Sequence, residues 1–278
     1  MNYQLKFLIN LTVITLNIPL AFGQISTSDH SKIDSLTFSD TKAILNNLLN
    51  ASFEKRIFNQ DNEELPYRLL LPKNYDPAKK YPAVLTFHNS TRIGNDNERQ
   101  LEPLAKIWLR NEIYERYNCF VVAPQFNERS SNYLENGNGI LVSKGSDATI
   151  LVLKLLRKLE QEYPNMDKSK IYLVGYSMGA STAQNLMSLA PEEFAAMVSI
   201  AAVPDFSHLK ALASKNIYLI HGAKDFDNPY KGSDELYKKL KNSNKVLFKT
   251  FTELDHNNIT IPLLLSDEIP KWLFKQKK

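Results

Sequence analysis

The sequence predicts an α/β protein built on a mostly parallel sheet with helices on both faces. From about residue 83 onward, strand-like and helix-like segments alternate along the 278-residue chain. The strand-like segments "AVLTFHN", "CFVVAPQ", "KIYLVGY", "AAMVSIAA" and "NIYLIHG" are apolar along their length, as strands buried on both faces are. Polar residues able to do chemistry fall just past the ends of these strands, where such sheets bind ligands.

The elements follow in chain order. Residues 1–23 place Lys6 before an apolar stretch from Phe7 to Leu20, then Ala21-Phe22-Gly23. Small residues at the first and third of those positions suit a signal peptidase cutting before Gln24, so secretion or export to a periplasm is the expectation. Asn10, Thr12, Thr15 and Asn17 dilute the apolar stretch and argue against a stable membrane span. Residues 24–52 form a polar, loosely ordered segment followed by one short helix around "TKAILNNLLNASF". The remainder, 53–278, is a single catalytic-sized α/β domain. It opens with an antiparallel hairpin, "FEKRIFN" and "ELPYRLLLP", turning at "QDNE".

Beyond the strand at 83–89, the spacing predicts a helix over about 98–117 with Trp108 and Leu109 on its apolar side. Residues 126–142 read as a long loop in which "GNG" at Gly137 is a plain turn. A strong helix starts at Ser146, a suitable cap, and ends near Pro164. The remaining helices are "MGASTAQNLMSLA", "GSDELYKKLKN" and a closing one near "LSDEIPKWLFKQ", with the strand "KVLFKTF" before the last.

Composition narrows the function. A formal charge of +4, with basic residues scattered, gives no footprint for nucleic acid. The single cysteine, Cys119, sits in an apolar run and excludes an internal disulfide. No His-x-x-x-His, cysteine cluster or phosphate-binding glycine loop is present, so no metal or organic cofactor is implied.

The chemistry-bearing residues lie in three loops. Ser177 stands in Gly-Tyr-Ser-Met-Gly, between an apolar strand and a small-residue helix. A serine hydroxyl needs open presentation to a base, and a tight strand-to-helix turn supplies it. Gly175 and Gly179 leave room for crowded backbone, and the Met178 N–H is aimed where an oxyanion would form. His256, in the polar loop after the last strand, is the candidate base. His88 and His221 end strands and suit loop-pinning hydrogen bonds, while His30 and His208 lie off position. Asp225, four residues past His221, is the candidate carboxylate, with Asp227 and Asp205 as rivals. Asp255, directly before His256, is poorly placed to reach its ring. The chain order Ser, Asp, His is that of an α/β-hydrolase.

With those residues in place, the chain resembles the α/β-hydrolase superfamily. More narrowly, it is similar to small secreted esterases of the phospholipase/carboxylesterase and polyhydroxybutyrate-depolymerase-like groups, akin to the prolyl oligopeptidase catalytic domain. "LPYRLLLPKNYDPAKKYPAVLTFHN", "DKSKIYLVGYSMGA", "PEEFAAMVSIAA" and "IYLIHGAKD" carry the likeness. The resemblance implies a serine esterase acting on a small-molecule or polysaccharide-linked ester, such as an acetyl or feruloyl ester. Ser90 would give the second oxyanion N–H. One departure stands out: the expected His-Gly-x-Gly loop reads "HNST", with Asn89 and Thr91 in place of glycines, while Gly94, Asp96 and Asn97 remain. Glycine there would permit φ > 0, so a differently shaped or weaker oxyanion hole is the expectation. Two alternatives stay open: a prolyl-oligopeptidase-like peptidase, and a hydrolase-like scaffold that only binds.

Overall fold

In a computed structural model, which describes residues 25–60, 62–240 and 243–278, strands and helices alternate around a nine-stranded sheet. The elements run β1 (Ile25–Asp29), α1 (Ser35–Asn46), β2 (Phe53–Gln60), β3 (Glu63–Leu70), β4 (Tyr81–Phe87), α2 (Pro103–Lys106), α3 (Asn111–Arg116) and β5 (Phe120–Pro124). Then follow β6 (Ser131–Glu135), β7 (Leu141–Gly145), α4 (Ala148–Glu162), β8 (Met166–Tyr176), α5 (Met178–Leu189) and β9 (Ala196–Ile200). The chain closes with α6 (Leu209–Ala213), β10 (Asn216–Gly222), α7 (Tyr230–Lys239), β11 (Val246–Phe251), α8 (Ile261–Leu264) and α9 (Glu268–Leu273).

The strand order is β1-β11-β10-β9-β8-β4-β5-β3-β2. β3 alone runs against its neighbours β2 and β5; the other pairs are parallel. The full-length apolarity of the strands follows from this arrangement. Leu85, Leu173, Met197 and Leu219 enter one core with α4 and α5, while Val84, Tyr172, Val198 and Tyr218 enter a second with α2, α8 and α9. Successive strand residues thus divide between two buried faces, because side chains alternate along a strand.

Three local expectations change. The segment expected to be loose begins with a strand: β1 pairs in parallel with β11, Ile25 opposite Leu247 through Asp29 opposite Phe251. It is an exposed polar edge joined through its backbone, so hydrophobic patterning gives no signal for it. α1 begins earlier than expected because the Asp34 carboxylate accepts the Thr37 N–H at 2.7 Å, capping it. The helix expected over 98–117 is broken. Pro103 forces Glu102 into extended backbone (φ −76°, ψ 172°), and Arg110 is extended again before α3.

The expected loop at 126–142 contains most of an antiparallel hairpin, β6–β7, whose tip carries Gly137 and Gly139 at φ 79° and 66°. The signal-segment expectation for 1–23 lies outside the described residues. Cys119 is buried.

Candidate active site

The turn between β8 and α5 forces Ser177 to φ 58° and ψ −123°, a conformation that costs a non-glycine residue on the order of 1–3 kcal/mol. Close packing holds it there. A Cβ on Gly175 would lie 2.2 Å from the Gly179 oxygen, and one on Gly179 would lie 2.1 Å from the Phe87 oxygen. Both glycines are therefore steric requirements of the turn, and the second presses it against the end of β4, where the "HNST" loop begins. The Ser177 N–H donates to the Ile200 oxygen at 2.9 Å, tying the turn to β9 as well.

The structure brings the three candidate side chains into one line. His256 Nε2 lies 2.9 Å from Ser177 Oγ, and His256 Nδ1 lies 2.7 Å from Asp225 Oδ2. A carboxylate can only accept, so Nδ1 carries the proton and Nε2 is free to take one from the serine. Asp225 Oδ1 accepts the Asn228 N–H at 2.9 Å, and His221 Nε2 stands 3.2 Å from Oδ2. Burial raises the Asp225 pKa, but hydrogen bonds from His221 and His256 outweigh it and hold the pKa at about 2. Asp225 thus stays anionic beside His256.

The rival carboxylates are engaged elsewhere or exposed. Asp205 holds Asn185 and Ser207, Asp255 accepts the N–H groups of Asn257 and Asn258, and Asp227 is exposed at the rim.

Several contributors escape sequence reasoning. Asn228 donates through Nδ2 to the Ala201 oxygen at 2.7 Å and accepts His221 Nε2–H at 2.8 Å, joining the Asp225 loop to the end of β9. Tyr176, one residue before Ser177, donates to the His256 carbonyl at 2.7 Å and lays its ring 5.1 Å from the imidazole. These roles arise from loops that meet only in the fold. His88 does pin loops: its ring bridges the Asn89 oxygen and the Phe126 N–H, and burial pushes its pKa down to about 4.

The "HNST" loop is built without the left-handed backbone that glycines would permit. Asn89 sits at φ −75° and ψ 171°, and neither Ser90 nor Thr91 has a positive φ. Asn89 Oδ1 accepts both the Thr91 N–H (2.9 Å) and the Thr91 hydroxyl (2.7 Å). Its own Nδ2 and N–H donate to the buried Glu102 carboxyl at 2.6 and 3.3 Å. A side-chain network therefore fixes a loop whose backbone needs no left-handed residue. Burial raises the Glu102 pKa to about 7 against the opposing pull of Arg92, Asn89 and Lys42. Met178 opens α5, where the first N–H groups have no intrahelical partner. Ser90 opens the short turn after β4 and lines the same cavity as Ser177 and His256, a space of about 810 Å³. No cluster of three or more His, Cys, Asp or Glu among the described residues could hold a metal ion.

The phospholipase/carboxylesterase family pattern matches residues 142–261, a span containing Ser177, Asp225 and His256. A solved thermostable esterase is 29% identical with a TM-score of 0.74, covering 82% of this chain and 64% of its own. A ferulic acid esterase is 17% identical with a TM-score of 0.60, covering 80% and 98%. The acylaminoacyl peptidase of Pyrococcus horikoshii is 15% identical with a TM-score of 0.57, covering 82% and 42%, a likeness of fold alone. The chain thus spans under two thirds of the thermostable esterase and under half of the peptidase. No curated protein matches the sequence.

The sheet, the strand-to-helix turn and these likenesses make the chain a member of the α/β-hydrolase superfamily. Within it, the segment from 142 to 261 carries the phospholipase/carboxylesterase pattern.

Proposed function

We propose that the protein is a serine esterase that hydrolyses a carboxylic ester through an acyl-enzyme, and that residues 1–23 direct its secretion. The hydrogen-bonded line from Ser177 Oγ through His256 to Asp225, at 2.9 and 2.7 Å, is the observation that carries this reading. Ser177 Oγ attacks the ester carbonyl carbon while His256 Nε2 takes its proton. The N–H groups of Met178 and Ser90 receive the negative charge that develops on the carbonyl oxygen. His256 then gives the proton to the departing alcohol, leaving the acyl group on Ser177. A water molecule, deprotonated by the same imidazole, releases the acid and restores the serine.

Asp225 fixes the imidazole tautomer and stabilises its cationic form. The cleft of about 810 Å³ is in the size range of small-molecule sites, which supports a small or carbohydrate-linked ester as the substrate. Hydrolysis of p-nitrophenyl esters from acetate to octanoate by the mature protein and by Ser177→Ala tests the proposal. Turnover that vanishes with the serine is the expected result; turnover that survives in the variant would overturn it.

A further inference from the structure

The cleft beside Ser177 holds three cations, none of them in a close ion pair among the described residues, with Lys42 Nζ lying 3.9 Å from the Phe38 ring centroid. Arg56, Arg68, Arg99, Arg110 and Arg116 each meet a carboxylate within 3.1 Å. The arginines lining the cleft, Arg92 and Arg129, do not. Arg92 Nε is buried without a hydrogen-bond partner, and its nearest carboxylate oxygen, on Glu102, is 3.9 Å away and already accepts from Asn89. Arg129 gives its Nε–H to the Ser131 oxygen at 3.3 Å and sits over Tyr133, its Cζ 4.5 Å from the ring centroid. No carboxylate of the described residues pairs with it.

Lys42, from α1, lines the same space. Its pKa is lowered, first by burial and then by the Arg92 charge. Two like charges crowded into a half-buried corner repel, and a bound anion relieves that cost. The carboxyls in the cleft are the exposed Asp227 and the buried Glu102, which burial, raising its pKa to about 7, leaves only partly ionised near neutral pH.

We propose that the cleft is built for an ester bearing a negative charge, such as a half-ester of a dicarboxylic acid or an ester whose alcohol carries a carboxylate, with Lys42, Arg92 and Arg129 as its anion-binding side chains. The proposal rests on the ester-hydrolase reading and narrows its substrate class. Arginine suits the task because its planar fork meets a carboxylate through two parallel hydrogen bonds. Lys42 and Arg92 border the oxyanion loop and Arg129 precedes the β6–β7 hairpin, so the charge can be met on either side of the scissile bond.

Binding to Ser177→Ala, which leaves the ester intact, separates this proposal from the catalytic one. Calorimetry would compare monoethyl glutarate with ethyl pentanoate for a charge on the acid side, and 4-acetoxybenzoate with phenyl acetate for the alcohol side. In at least one pair the anion should bind about tenfold or more tightly at low ionic strength, with the advantage shrinking as salt screens it. Arg92→Gln or Arg129→Gln, added to Ser177→Ala, should move the anionic-to-neutral ratio towards one. Equal or weaker binding of both anions, or an advantage that survives both arginine changes, would overturn the proposal. A preference for the anion in Ser177→Ala alongside a wild-type protein that turns over no ester would refute the catalytic reading and leave the anion site standing. Good wild-type turnover of the neutral esters without any anion preference would do the reverse.

Discussion

Replacing Asp225 with asparagine probes the site through a single proton. In the native site, Oδ1 accepts the Asn228 N–H at 2.9 Å and Oδ2 accepts His256 Nδ1–H at 2.7 Å. An asparagine has one acceptor oxygen to meet both donors. If that oxygen keeps the Asn228 N–H, the amide NH2 faces His256 Nδ1, which must then accept. The ring proton moves to Nε2, the atom that must take the proton of Ser177. Turning the amide instead points its NH2 at the Asn228 N–H and leaves two buried donors opposed, which costs about 1–3 kcal/mol. The first arrangement also sets the NH2 beside His221 Nε2–H, 3.2 Å from Oδ2 in the native site, but that donor keeps the Asn228 oxygen at 2.8 Å, so the first arrangement dominates.

The expected loss in kcat/KM is about a thousand- to ten-thousandfold, or roughly 4–5.5 kcal/mol at about 1.4 kcal/mol per decade. Initial rates on p-nitrophenyl acetate, read with the ring 15N shifts of His256, would report activity and tautomer together. A variant within about tenfold of wild type, with Nδ1 still protonated, would refute the assignment of Asp225 as the group that orients His256.

Other consequences follow from the packing and the buried charges. Gly179→Ala drives a Cβ into the Phe87 carbonyl, 2.1 Å away, and should cost more than about 3 kcal/mol in urea unfolding, above the usual overpacking range. Asn89→Gly restores the residue type common in such loops but removes the acceptor for the Thr91 N–H and hydroxyl; kcat should fall about 10- to 100-fold, with KM changing less. The pH dependence of stability pits Glu102 against His88. Glu102, raised to about 7, keeps its proton in the native state after the unfolded chain has lost it, so its contribution falls as pH rises from about 4.5 to 7. His88, lowered to about 4, stays neutral while the unfolded chain takes a proton, so its contribution rises from about pH 4 to 6.5. Each is worth on the order of 3 kcal/mol and they nearly cancel. In Glu102→Gln, stability should therefore climb by that order between pH 4 and 6.5; a profile as flat as that of wild type would contradict it.

What could be read from the sequence follows the range of the interactions involved. The buried strands were legible because burial on both faces demands uninterrupted apolar residues. The loops carrying Ser177 and Asp225 were legible because each follows such a strand, and the His256 loop because it follows the last strand; the fold brings the three side chains together. β1 was not, since a polar edge strand joins the sheet through its backbone alone. The β6–β7 hairpin was hidden for a similar reason, its exposed strands giving little alternation.

The "HNST" loop after β4 shows a further limit. Asn89 and Thr91 looked unfavourable when judged as replacements for glycine. The carboxyl that braces them, Glu102, lies 13 residues away in a segment expected to be helical. Pro103 already marked the break that turns Glu102 inward, but nothing local connected it to Asn89. Asn228 and Tyr176 likewise acquire their roles only when three strand ends converge.

The most direct test of the central claim is to trap the acyl-enzyme. The mature protein would be mixed with p-nitrophenyl acetate, quenched in acid within the first turnover and digested, and the peptide containing Ser177 weighed. One acetyl group on Ser177 is expected, formed with a stoichiometric burst of p-nitrophenol and absent from Ser177→Ala. Turnover with no acyl group on that peptide, or an acyl group on another residue that goes on to hydrolyse, would contradict it.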